Sequence, residues 1–131
     1  MFIKFLIRRR NSKALKCWEE LIKHSQKVES SLQEGDLVKA LKATKEMDRE
    51  FLVVCRLLRN AKGKKVIHPN LIPSQIEATN SMLYTLTSSG SPSPTFTQEV
   101  YSMLQNKLRI VNLLNTHIRG LLQQVEEKLI Q

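Results

Sequence analysis

The sequence predicts an all-α fold, an elongated helical bundle made of an antiparallel helical hairpin, a short third helix and a long C-terminal helix. Three observations predict it. Apolar positions recur in alternating steps of four and three over long segments, an acid-Gly-Asp turn joins the first two such segments, and stretches rich in Ser, Pro and Gly punctuate the rest. At 131 residues the chain fits a single helical domain around one core.

The first seam runs through Ala14, Trp18, Leu21, Ser25, Val28 and Leu32, with Leu15 and Ile22 beside it. That is the period of a helix packed along one side. It stops at Glu34-Gly35-Asp36, where Gly suits a left-handed C-cap and Asp the following N-cap. The second seam is Leu37, Ala40, Thr44, Met47, Phe51, Val54 and Leu58, flanked by Leu41, Leu52 and Cys55. Its outer side carries Lys39, Lys42, Lys45 and Arg49 among Glu46, Asp48 and Glu50. So short a turn makes residues 14–60 an antiparallel hairpin, with Trp18 and Phe51 in its core.

Residues 61–73 read as a loop, because Pro69 and Pro73 each push the preceding residue into extended geometry. Ser74-Gln75-Ile76-Glu77 has the form of a capping box, opening a short helix over 74–86 with Ile76, Leu83 and Leu86 inward. Residues 87–95 have linker composition. The last helix spans 96–131, with Leu104, Leu108, Val111, Ile118, Leu122, Val125 and Leu129 in one stripe widened by Leu114 and Leu121. Ser102, Gln105, Arg109, Asn112, Thr116, Arg119 and Gln123 form its solvent side. At roughly 50 Å this helix outruns hairpin helices of about 30 to 35 Å, so part of its stripe is expected to lack an intramolecular partner. Exposed stripes of that kind mark helix-binding grooves.

The formal charge of +9 is uneven: residues 1–65 hold 17 Lys/Arg against 8 Asp/Glu, and residues 66–131 hold 4 against 4. A basic half favours acidic partners, nucleic acid or an anionic membrane surface, as a non-specific attraction. In residues 1–13 an apolar run, Phe2, Ile3, Phe5, Leu6 and Ile7, precedes Arg8-Arg9-Arg10. A secretion signal has the opposite order, and no stretch approaches the roughly 20 apolar residues of a membrane span. The segment reads as the frayed start of the first helix, with a short amphipathic membrane-surface element as the alternative.

Little in the sequence suggests catalysis. His24, His68 and His117 lie in three separate segments, and there is no Gly-rich phosphate loop, no His-Glu-x-x-His and no paired-Cys motif. Cys17 and Cys55 stand without a neighbouring ligand at metal spacing, and read as reduced cytosolic thiols. We therefore expect no enzyme activity, no cofactor and no metal.

Two passages resemble the FlgN-type flagellar export chaperones, small cytosolic helical proteins that hold hook-filament junction subunits before secretion. Leu108-Arg109-Ile110-Val111-Asn112-Leu113-Leu114-Asn115-Thr116-His117-Ile118 is similar to that family's pattern of apolar residue, Asn, two spacers, Asn, two spacers and an aliphatic residue in the last long helix. Leu32-Gln33-Glu34-Gly35-Asp36-Leu37-Val38-Lys39-Ala40-Leu41 is similar to the turn joining its first two helices, a pattern that also looks like the related FliT-type chaperones. The resemblance implies that the C-terminal helix captures an amphipathic terminal helix of a secreted protein client and prevents premature assembly, with the export apparatus as a further partner. Val111, Asn112, Asn115 and Ile118 are the motif positions, with Leu108 opening the passage. Leu121, Leu122 and Val125 join them from the stripe alone.

Two other readings stay open. One is a basic helical adaptor for nucleic acid or an acidic membrane surface, using Arg8, Arg9, Arg10, Lys13, Lys62, Lys64 and Lys65. Nucleic acid is the weaker of those partners, because the basic loop lacks interleaved aromatics. The other is a self-associating coiled-coil structural protein, so the sequence does not choose between monomer and dimer.

Overall fold

In a computed structural model, the residues described are 2–68, 72–88, 90 and 92–131. Met1, residues 69–71 of the expected loop and residues 89 and 91 of the expected linker lie outside them. Four helices follow in order: α1 (Phe2–Gln33), α2 (Leu37–Leu57), α3 (Ile72–Thr87) and α4 (Pro94–Ile130). The described residues contain no strand, only a single bridge between Arg59 and Lys65.

The α1–α2 turn forms as its residues dictate. Gly35 takes φ +76°. Its N–H donates to the Leu32 carbonyl at 3.1 Å, and the Asp36 N–H donates to that of Ser31 at 2.9 Å, closing a Schellman motif. The Asp36 carboxylate then accepts the Lys39 N–H at 3.0 Å and starts α2. Every seam position of α1, from Ala14 to Leu32, is buried.

Residues 2–13 are the start of the first helix, and they are regular, for α1 is continuous from Phe2 and is 32 residues long. Ile7 and Asn11 continue the seam backwards in the same four-and-three steps, and both are buried. Asn11 is tolerated there because its amide is engaged on both sides. Its Nδ2 donates to the Arg59 carbonyl at 2.9 Å and its Oδ1 accepts the Arg59 N–H at 2.8 Å, so the end of α2 is satisfied by a side chain of α1.

This extension removes the length argument for an unpartnered stripe. α1 spans about 48 Å and α4, with 37 residues, about 55 Å. α4 runs back along α1, pairing Glu126 with Arg8 and Asn115 with Trp18. Val111, Ile118 and Val125 are buried along the way.

Smaller corrections have local causes. α3 begins at Ile72, two residues before the expected capping Ser74, because Pro73 sits in a first helical turn where a missing N–H costs nothing. α4 begins at Pro94, since Ser93 caps it by accepting the Phe96 N–H at 3.1 Å and Pro suits the first helical position. Asp48 is buried rather than on the outer side of α2, where it meets Lys107.

Three apolar clusters stack along the bundle. Val28, Leu32, Leu41, Val100 and Leu104 fill the end at the hairpin turn. Trp18, Leu21, Met47, Val54, Val111 and Ile118 fill the middle. Ile7, Val125 and Leu129 fill the far end.

Candidate helix-binding groove and basic end

α3 packs on α2 and α4 mainly on α1, while α3 and α4 share the apolar cluster at the hairpin-turn end, where Leu83 and Leu86 join Val100 and Leu104. Between them lies an open cleft of about 320 Å³. Phe51 forms its floor, packed edge to face on the buried Trp18 beneath it, with ring centroids 6.3 Å apart and planes at 61°. Ala78, Thr79 and Met82 wall it on α3, and Met103, Ile110 and Leu114 on α4, each set at helical spacing. Met47 on α2 completes it, so three of the chain's 4 methionines line one cleft.

One ion pair crosses this apolar surface. The Lys107 Nζ lies 2.6 Å from Asp48 Oδ2, with side chains only 18% and 5% exposed. Burial pushes the Asp48 carboxyl above the usual carboxylate range, and Lys107 pulls it partly back. A fixed charge pair in an apolar groove admits one register of a bound helix better than others, as buried polar groups do in coiled coils.

The motif residues divide between the core and two surfaces. Val111 lines the cleft from its buried side, while Ile118 and Val125 pack inside the bundle and Leu121 and Leu122 lie half-buried against it. Leu108 and Asn112 line a shallower hollow between the C-terminal half of α1 and α4. Asn115 is occupied within the fold, its Oδ1 accepting the Trp18 indole N–H at 2.7 Å and the Arg119 Nε–H at 2.9 Å. The eight residues are therefore not one surface. Sequence reading placed Met47 in the α2 seam but did not single out Met82 and Met103, although methionines on successive helices are a signal of an adaptable apolar contact surface.

The basic residues, in contrast, come together. The Lys62-to-Lys65 loop is held tight, with Asn60 Oδ1 accepting the N–H groups of Lys62 at 2.9 Å and Lys64 at 3.0 Å. Gly63, at φ +81°, lies against Ile7, whose side chain would be in van der Waals contact, at 3.7 Å, with a Cβ placed there. With the Asn11–Arg59 clip, this sets the loop that carries Lys62, Lys64 and Lys65 against the stretch of α1 that carries Arg8, Arg9, Arg10 and Lys13.

The thiols are not activated. Burial pushes Cys55 up to about 11, and burial together with Glu50 raises Cys17, so both are free, protonated and weakly nucleophilic at neutral pH. Among the described residues no three His, Cys, Asp or Glu side chains are placed to hold a metal ion, and no helix is long and apolar enough to cross a membrane.

Fold and site together define an all-α protein with an open, methionine-lined groove beside its third helix and a basic end. No protein-family model matches the chain, and no curated protein or solved structure matches it.

Proposed function

We propose that this chain is a cytosolic helix-binding chaperone that shields an amphipathic helix of a secreted client, turning over no substrate. The observation that carries this reading is the groove between α3 and α4. Its walls repeat at helical spacing, half-buried Phe51 lies on its floor backed by buried Trp18 and Met47, and Met82 and Met103 supply flexible, polarizable contacts that adapt to an apolar helix face. The client class, a flagellar junction-type subunit awaiting export, rests on the sequence resemblance to FlgN-type chaperones.

The test uses substitutions that the fold tolerates. Ile118 is 1% exposed, so a charge there would test folding. Met82 and Met103 are only half-buried and face the cleft. Met82→Glu and Met103→Glu should each weaken capture of terminal-helix peptides from flagellar junction subunits at least about tenfold, with helicity unchanged. Capture that survives both changes but is lost when Arg8, Arg9 and Arg10 become Ser would sink the groove and favour an electrostatic adaptor.

A further inference from the structure

α1 is regular from Phe2, yet residues 2–6 are all exposed, so its first turns stand clear of the bundle. Phe2 is 73% exposed, Ile3 67% and Phe5 58%. Ile130, at the end of α4 that packs on this part of α1, is exposed as well. Apolar side chains so placed lose nothing on leaving water and gain by it.

The charge around them is the second observation. Segments 2–13, 56–66 and 121–131 meet at this end through the Asn11–Arg59 bonds, the Arg8–Glu126 pair and the packing of Ile7 on Val125 and Leu129. They carry 11 Lys/Arg against 2 Asp/Glu, an excess of 9 that equals the formal charge of +9 on the whole chain. The rest of the molecule, 10 against 10, is neutral. Glu126 already pairs with Arg8, and among the described residues Arg9, Arg10, Lys13, Lys62, Lys64 and Lys65 have no acidic partner within ion-pair distance.

We propose that this end of the bundle docks on an anionic lipid bilayer, with the exposed first turns of α1 inserted in the interface and the lysines and arginines behind them at the headgroups. The dimensions agree. Phe2 to Leu6 spans roughly 6 Å along the axis, within the 5–10 Å that an interfacial apolar element enters. Arg9 and Arg10 follow Phe5 and Leu6 on the same helix face one turn further back, and Lys13 follows Arg9 after one turn more. The apolar residues alone are too few to hold a protein at a membrane, but an apolar insertion combined with a basic patch supplies two signals. Nucleic acid would use the cations and leave Ile3, Leu6 and Ile130 without a role, since aliphatic side chains offer no face for base stacking. This inference is independent of the groove.

The experiment is sedimentation of the full chain with vesicles of phosphatidylcholine alone or mixed with phosphatidylserine. Binding is expected only with phosphatidylserine, weakening as salt rises. Phe2→Ser with Phe5→Ser, and separately Lys62→Ser with Lys64→Ser and Lys65→Ser, should each lower affinity at least about tenfold while helicity stays unchanged, because all five residues are exposed. A Phe5→Trp variant, made on a Trp18→Phe background so that it carries the one indole, should shift its emission to the blue on phosphatidylserine vesicles. The proposal is overturned by absence of binding to phosphatidylserine, by wild-type binding of the phenylalanine variant, or by an unshifted emission of the Phe5→Trp variant once it is bound. Displacement of the protein from vesicles by a single-stranded oligonucleotide whose binding needs both phenylalanines would reassign this end to nucleic acid. A mass that grows with concentration only while both phenylalanines are present would reassign it to a second copy.

Discussion

The Trp18 indole N–H donates to the Asn115 Oδ1 at 2.7 Å, joining α1 to α4 across 97 positions of sequence. Trp18 is fully buried, so this bond satisfies a donor that water does not reach. Asn115→Ala should therefore cost about 1–3 kcal/mol, chiefly from the stranded indole N–H. Trp18→Phe removes the same donor, and in the Trp18→Phe, Asn115→Ala double variant the two losses should sum to less than their separate values. Urea denaturation of the four proteins measures this, and strictly additive losses would show that the bond contributes nothing.

Trp18 and Phe51 pack edge to face, but only Trp18 is sealed from solvent, Phe51 being half-buried on the groove floor. Trp18→Ala should cost about 3–5 kcal/mol and Phe51→Ala roughly half that. Equal losses would mean that the groove closes over Phe51 in solution.

The Asp48–Lys107 pair gives stability a pH signature. Burial raises the folded value of Asp48 above its unfolded one, so the ionised carboxylate opposes folding at neutral pH, and that penalty is relieved as pH falls through the folded value. Lys107→Met removes the compensating charge and should cost about 3 kcal/mol at neutral pH, shrinking toward zero in acid as Asp48 takes up a proton. Adding Asp48→Asn should restore much of the loss and abolish its pH dependence. Melting temperatures of the three proteins across the acid range decide it.

Asn11 clips the first third of α1 to the end of α2 through two bonds to the Arg59 backbone. Asn11→Ala should cost about 2 kcal/mol, since both Arg59 groups lose their partner. Asn11→Asp keeps the acceptor and loses the donor, so it should fall between. Amide exchange at Arg59 should quicken in the alanine variant, and unchanged protection there would show that the loop is held by its own bonds.

Local chemistry was legible wherever it depends on neighbours in sequence. The seam from Ala14 to Leu32 and the Gly35–Asp36 turn follow from helical period and capping alone. The first turns of α1 did not read as seam, because Asn11 looks like a surface residue until Arg59 is beside it. Asp48 likewise reads as solvent-facing until Lys107 arrives from α4. Nor could Asn115 be assigned between partner and core, since its position is polar either way and only the Trp18 contact decides.

The all-α class, the hairpin with its turn and most of the inward face of the long helices were present in the chain before folding, because each follows from spacing within one segment. Which surfaces remained open was settled by tertiary packing. Placing α3 on α2 and α4 on α1 left the methionine-lined groove between them. Folding residues 2–13, 56–66 and 121–131 to one end turned a basic half of the sequence into a basic pole of the molecule. Grooves and poles are relations between residues far apart in the chain, and periodicity within one segment carries no information about them.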